Sequence, residues 1–198
     1  MFPVMSQARR LGIAAVLVVA VLGCQSQQPT DHATIAATQR RSEPRMKGRE
    51  PVSVIEIKPQ EAKTLLEGGG HVYLDVRTAA EFVAGHPPAA LNIPVAQIDP
   101  ATGQMQINAD FLDVVKANIA ANTQLIVGCK MGGRSSMACD ILVQAGYTDV
   151  RNMDGGFSGT STATGEIVDE GWSTLGYPIE RGDGSAGSYS SLSQAVKP

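Results

Sequence analysis

Cysteine is scarce in this chain, three in 198 residues, and so is histidine, also three. Cys24, Cys129 and Cys139 make no C-x-x-C pair and have no histidine close in sequence. Zinc-type ligand spacing and a disulfide-stapled fold are both excluded, and nothing calls for a metal or an organic cofactor. An excess of basic residues is also missing: the formal net charge is −3, where a nucleic-acid binder carries the opposite sign. The longest uninterrupted apolar run, Leu11 to Leu22, falls short of the roughly 20 residues that a helix needs to span a bilayer. What is present, 43% hydrophobic and 18% charged residues, suffices for one domain with a real core. Gly 21 and Pro 11 point to long loops or tails beside it.

Arg9 and Arg10 before that apolar run make residues 1–23 read as a cleaved export signal. The stretch Val21, Leu22, Gly23, Cys24 resembles the lipobox of bacterial lipoproteins. That resemblance implies lipid on Cys24 as the new N-terminus, and several acyl chains hold a domain on a membrane durably where one does not. Gln25, in place of an aspartate that favours inner-membrane retention, points to the periplasmic face of the outer membrane within a bacterial cell envelope. Residues 24–50, rich in Gln, Thr, Ser, Arg and Pro, read as a flexible tether with a reach of roughly 28 Å. The folded domain is expected over residues 51–181, and Gly- and Ser-rich residues 182–198 as a disordered tail.

Within the domain the pattern alternates. Val52 to Ile57 reads as a strand, and Pro59 suits the first turn of a helix carrying Leu65 and Leu66, which Gly68 to Gly70 stop. A second strand carries Val72, Tyr73, Leu74 and Val76. Thr78 and Glu81 then make a capping box for a short helix with Phe82 and Val83, ended by Gly85. Ala90 to Ile93 is a brief strand. After a loop, Asn108 caps a helix whose core residues are expected at Phe111, Leu112, Val115 and Ile119. Leu125, Ile126 and Val127 form an apolar strand, Ile141, Leu142 and Ala145 the buried face of the helix that follows, and Thr148 to Arg151 a last strand. Such alternation predicts an α/β fold with a mainly parallel central sheet, whose ligands gather at the carboxyl ends of the strands.

Cys129 stands at such an end. From Cys129 to Arg134 the chain joins a strand to a helix N-terminus through Gly132 and Gly133, which let the backbone curl so that several amide N–H groups face one spot. The result is a cradle for an anion. The same partial positive charge, with Lys130 and Arg134 nearby, favours the thiolate, the form that attacks sulfur. Cys139, five residues after Arg134, reads as a small buried side chain rather than a resolving thiol.

These residues closely resemble the rhodanese family of sulfurtransferases. Tyr73-Leu74-Asp75-Val76-Arg77, Glu81-Phe82, Gly85-His86 and Asn92-Ile93-Pro94 match one signature, and Cys129-Lys130-Met131-Gly132-Gly133-Arg134-Ser135 the active loop. Gly146-Tyr147, Gly155-Gly156, Trp172 and Gly176-Tyr177-Pro178 match a third, so the resemblance runs over residues 52 to 180. It implies a three-layer fold and passage of a sulfane sulfur from a small anionic donor such as thiosulfate, through a Cys129 persulfide, to cyanide or a thiol acceptor. Lys130, Met131, Gly132, Gly133, Arg134 and Ser135 would bind the donor, Lys130 and Arg134 by charge. Asp75 and Arg77 resemble a structural pair, with Arg77 a partner for Glu81.

Two alternatives stay open. One is a binding or persulfide-sensing module on the same fold; the other is a phosphatase or arsenate-reducing relative, disfavoured because the loop is C-x4-R where phosphatases use C-x5-R. The chain departs from the family between Gly156 and Trp172, where Phe157 to Gly171 form an insertion that either covers the active-site mouth or decorates an edge.

Overall fold

The computed structural model describes residues 53–183 and 186–196. The expected signal, the lipid site at Cys24 and the tether lie outside the described residues.

Five parallel strands make the central sheet: β1 (Ile55–Ile57), β2 (His71–Asp75), β3 (Leu91–Asn92), β6 (Gln124–Gly128) and β7 (Asp149–Met153), in the order β1-β7-β6-β2-β3. Parallel strands need crossovers, and helices supply them: α1 (Pro59–Glu67), α2 (Ala79–Ala84), α3 (Phe111–Asn118) and α4 (Gly133–Gln144). Side chains alternate across a strand, and here the alternation sorts two cores. Leu74, Leu125 and Val127 join Phe111, Val114, Ala138 and Leu142 on one face, under α3 and α4. Tyr73 and Ile126 join Ile57, Ala62, Phe82 and Trp172 on the other, with α1 and α2. The expected three-layer α/β architecture is what the chain adopts.

Local signals hold where they are strongest. Pro59 opens α1, and Thr78 and Glu81 form the reciprocal capping box of α2. Gly146 (φ +97°) follows the end of α4. Elsewhere tertiary packing shifts the reading. Helix α3 begins at Phe111, and Asn108 acts a turn earlier: its side-chain oxygen accepts from the Asp110 N–H at 3.2 Å. In α3, Val114 is fully buried and Leu112 only half-buried, because the face toward the sheet runs through 111, 114 and 115. In α4 the buried residues are Ser135, Ala138, Cys139 and Leu142, with Ile141 and Ala145 at the margin. Two hairpins lie in stretches read as loop: β4 (Ala96–Ile98) with β5 (Met105–Ile107), and β8 (Thr160–Ser161) with β9 (Ile167–Asp169).

The expected disordered tail is corrected over residues 186–196. Helix α5 (Tyr189–Leu192) and a 3-10 turn (Ser193–Val196) follow Gly187, whose carbonyl accepts from the Asn92 N–H at 2.7 Å. Leu192 enters the core beside α3, and Asn118 Nδ2 donates to its carbonyl at 3.1 Å. Glycine and serine around it set the composition, but one leucine and one tyrosine with a place to pack outweigh it.

Candidate active site

All five strands point the same way, so their carboxyl ends share one edge. The loops after β2, β6 and β7 meet there, and β6 is the middle strand. Cys129 follows β6 directly and is 2% exposed. Its sulfur accepts from the Gly132 N–H at 3.1 Å, and the Ser135 hydroxyl lies 3.5 Å away. That hydroxyl donates to the Gly132 carbonyl at 2.8 Å, and the Ser136 N–H reaches the same oxygen at 3.0 Å, closing the first turn of α4. Gly132 sits at φ +108°, a conformation that turns its amide toward the sulfur and that a side chain resists. The thiol therefore faces one amide and one hydroxyl at a helix N-terminus, a placement that favours an anion, where several amides were expected to converge.

The loop is held from the other side as well. Cys129 O accepts from the Phe157 N–H at 2.8 Å, and Lys130 O from the Ser158 N–H at 2.9 Å. Gly156, at φ +59°, makes this approach possible: a Cβ there would lie 2.6 Å from the Cys129 carbonyl oxygen. Behind the loop, a Cβ at Gly128 would overlap the Tyr73 hydroxyl. Trp172 Nε1 donates to the Pro178 carbonyl at 2.8 Å, and its ring packs 6.2 Å from that of Tyr73. The insertion after Gly156 is thus part of the wall of the site at its start. Its hairpin is tied down by Lys58, which pairs with Asp154 at 2.6 Å and reaches Asp169 at 3.4 Å.

The two cations of the loop differ. Lys130 is exposed, as are Met131 (55%) and Gly133. Arg134 turns to α2, where Nη1 and Nη2 donate to the two carboxylate oxygens of Glu81 at 2.6 and 2.9 Å. Burial pushes the Glu81 carboxyl up, but the Arg134 hydrogen bond, the Thr78 amide and the guanidinium charge outweigh it and hold the group at about 2. The expected Arg77–Glu81 pairing is corrected accordingly. Arg77 binds Asp75 instead, Nε to Oδ1 at 3.0 Å and Nη2 to Oδ2 at 2.6 Å, with both side chains buried. Arg77 also donates to the Gly85 carbonyl at 2.7 Å, and its guanidinium lies 4.1 Å from the centre of the Phe157 ring. Asn92 Nδ2 donates to the carbonyls of Asp75 and Arg77 at 3.0 and 2.9 Å. A hollow of about 210 Å³ beside the loop is lined by Arg77, Glu81, Gly85, Lys130, Phe157 and Ser158, among others.

Cys139 is fully buried in α4, and burial, with smaller repulsion from Glu56 and Asp140, pushes its thiol up to about 12. It is a core side chain, with no disulfide to Cys129. Two features of the site escaped sequence reasoning. The partner of Arg134 could have been found from the signature position of Glu81; the grip of Phe157 on the loop carries no local signal.

The Rhodanese-like domain family matches residues 58–163. The chain is 43% identical over 89 residues to thiosulfate sulfurtransferase 16, chloroplastic, of Arabidopsis thaliana, covering 45% of this chain and 72% of that protein. It is 42% identical over 106 residues to thiosulfate sulfurtransferase 18 of the same plant, covering 52% and 76%. The crystal structure of Rv0390 from M. tuberculosis superposes with a TM-score of 0.55 at 28% identity, over 66% of this chain and all of that one. With the parallel sheet, the cysteine after its middle strand and the glycine-turned loop into α4, these matches establish that the chain belongs to the rhodanese-like family.

Proposed function

We propose that this protein is a sulfurtransferase that carries a sulfane sulfur on Cys129. One observation carries the reading: the Cys129 sulfur sits at a helix N-terminus with the Gly132 amide donating to it at 3.1 Å. A thiolate placed there attacks the outer sulfur of thiosulfate. A new S–S bond forms to Cys129, the S–S bond of thiosulfate breaks, and sulfite leaves with the electron pair. The persulfide is then resolved by an acceptor: the carbon of cyanide attacks the terminal sulfur, giving thiocyanate, and the Cys129 thiolate is regenerated. A thiol acceptor takes the sulfur in the same way, leaving as its own persulfide.

The four residues between Cys129 and Arg134 support a small transferred atom over a phosphoryl group. Intact mass of the purified protein before and after thiosulfate tests the proposal, with Cys129→Ser alongside. A gain of one sulfur atom, removed by cyanide and absent from the variant, is the expected result. No gain with thiosulfate or any other sulfane donor sinks it, and Cys129-dependent hydrolysis of an aryl phosphate would put a phosphatase in its place.

The proposal extends to location: lipid on Cys24 tethers the domain to the periplasmic face of the outer membrane. Labelled palmitate recovered on the wild-type protein and lost in Cys24→Ala is the expected outcome; label retained in the variant rejects the tether.

A further inference from the structure

The active loop carries two cations, Lys130 and Arg134, and the fold treats them oppositely. Arg134, at the second position of α4, has its guanidinium engaged at both terminal nitrogens by Glu81, and the two side chains are 20% and 29% exposed. A carboxylate in contact with a guanidinium leaves a dipole where there was a charge, and a dipole's field falls off faster with distance. Glu81 is itself tied in place. Its Oε2 accepts from the Thr78 N–H and from the Thr78 hydroxyl, both at 3.0 Å. The pair therefore joins the N-termini of α2 and α4, whose partial positive ends both favour a carboxylate between them. Lys130 is the contrast: exposed, lining the hollow beside the loop, and in no ion pair with a described residue.

We propose that Glu81 is a positioning residue that neutralises Arg134 and builds it into the frame of the loop, so that Lys130 sets the affinity for the anionic sulfur donor. The inference rests on Cys129 as the sulfur-accepting thiol and assigns the two loop cations separate tasks, frame and recognition. It also gives Glu81 a sign: removing its charge unmasks Arg134 and makes the site more attractive to an anion.

The test is the thiosulfate concentration that half-saturates persulfide loading of Cys129, read by intact mass in wild type, Lys130→Gln, Glu81→Gln, Arg134→Gln and the double Glu81→Gln/Arg134→Gln. Glutamine at position 81 keeps a capping box, which accepts Glu or Gln. Lys130→Gln is expected to raise the half-saturating concentration about fivefold, more than it slows maximal loading. Arg134→Gln alone also raises it, because a bare carboxylate is left beside the cradle; Glu81→Gln alone lowers it; the double variant returns to within about twofold of wild type. A double variant as impaired as Arg134→Gln means that Arg134 contacts the donor, and the proposal is overturned. So does an unchanged half-saturation in Lys130→Gln, an exposed side chain whose loss leaves the core untouched. Sulfite binding by calorimetry across the same five proteins reads the charge pattern even where no sulfur moves. That pattern without persulfide in the wild type overturns the Cys129 reading alone; persulfide without the pattern overturns the assignment of Lys130.

Discussion

Glu81 and Arg134 meet through two parallel hydrogen bonds of 2.6 and 2.9 Å, and this pair locks the start of α2 to the start of α4. Neither helix is long, six and twelve residues, and α4 begins inside the active loop. The pair is therefore a strut for the loop as well as a charge device.

Its pH dependence has a definite sign. The Glu81 carboxyl is lowered from 4.5 to about 2, so its contribution is complete above 4.5 and is lost as the pH falls toward 2. Glu81→Gln should cost about 1–2 kcal/mol at neutral pH, discounted for partial exposure. Urea unfolding of the two proteins from pH 7 to pH 2.5 measures it. The gap is expected to be flat at the upper end and to narrow through the acid range; a gap that widens on acidification contradicts the strut.

Gly156 is expected to tolerate no side chain. Gly156→Ala places a Cβ 2.6 Å from the Cys129 carbonyl oxygen at a backbone φ of +59°. Relief requires the loop or the Phe157 segment to move. A loss of roughly 2 kcal/mol or more of stability, with persulfide formation impaired beyond what melting accounts for, should be seen by thermal unfolding and intact mass.

Leu192 distinguishes a packed C-terminal segment from a loose one. Leu192→Ala should lower stability by about 2 kcal/mol, at the low end for a leucine because its site lies at the core's edge. A change within error in chemical denaturation would mean that α5 does not hold to α3.

Cys139 should be inert. Its thiol is buried and pushed up to about 12, so in the folded protein iodoacetamide should leave it unmodified while denatured protein reacts. Peptide mapping reads this directly. Cys139→Ala should retain Cys129 persulfide formation and cost about 1 kcal/mol of packing. Loss of persulfide in that variant would give Cys139 a chemical part.

Much of the fold is legible because local chemistry and burial agree. In β2 and β6, neighbouring residues go to opposite cores, Tyr73 and Leu74 in one strand, Leu125 and Ile126 in the other. A strand buried on both faces reads as an apolar run. The Thr78–Glu81 box and the Gly132 turn are local too, since each needs only residues within a few positions. The cysteine, the two glycines and the loop length were therefore present in the chain before any packing was known.

What only the tertiary structure decided is who meets whom across distance. Arg134 read as a contact for the bound anion, and the approach of α2 to α4 gave it Glu81 as a partner. Arg77 keeps Asp75, the near neighbour the resemblance implied, and not Glu81, which goes to Arg134 from α4; buried, its guanidinium would be costly unpaired. The Gly- and Ser-rich end looked unstructured by composition, yet Leu192 found a surface on α3. Each choice turns on long-range contacts, which composition and periodicity do not encode: the sequence by itself determined the sheet, the capping box and the reactive loop, and packing determined the partners of its charges.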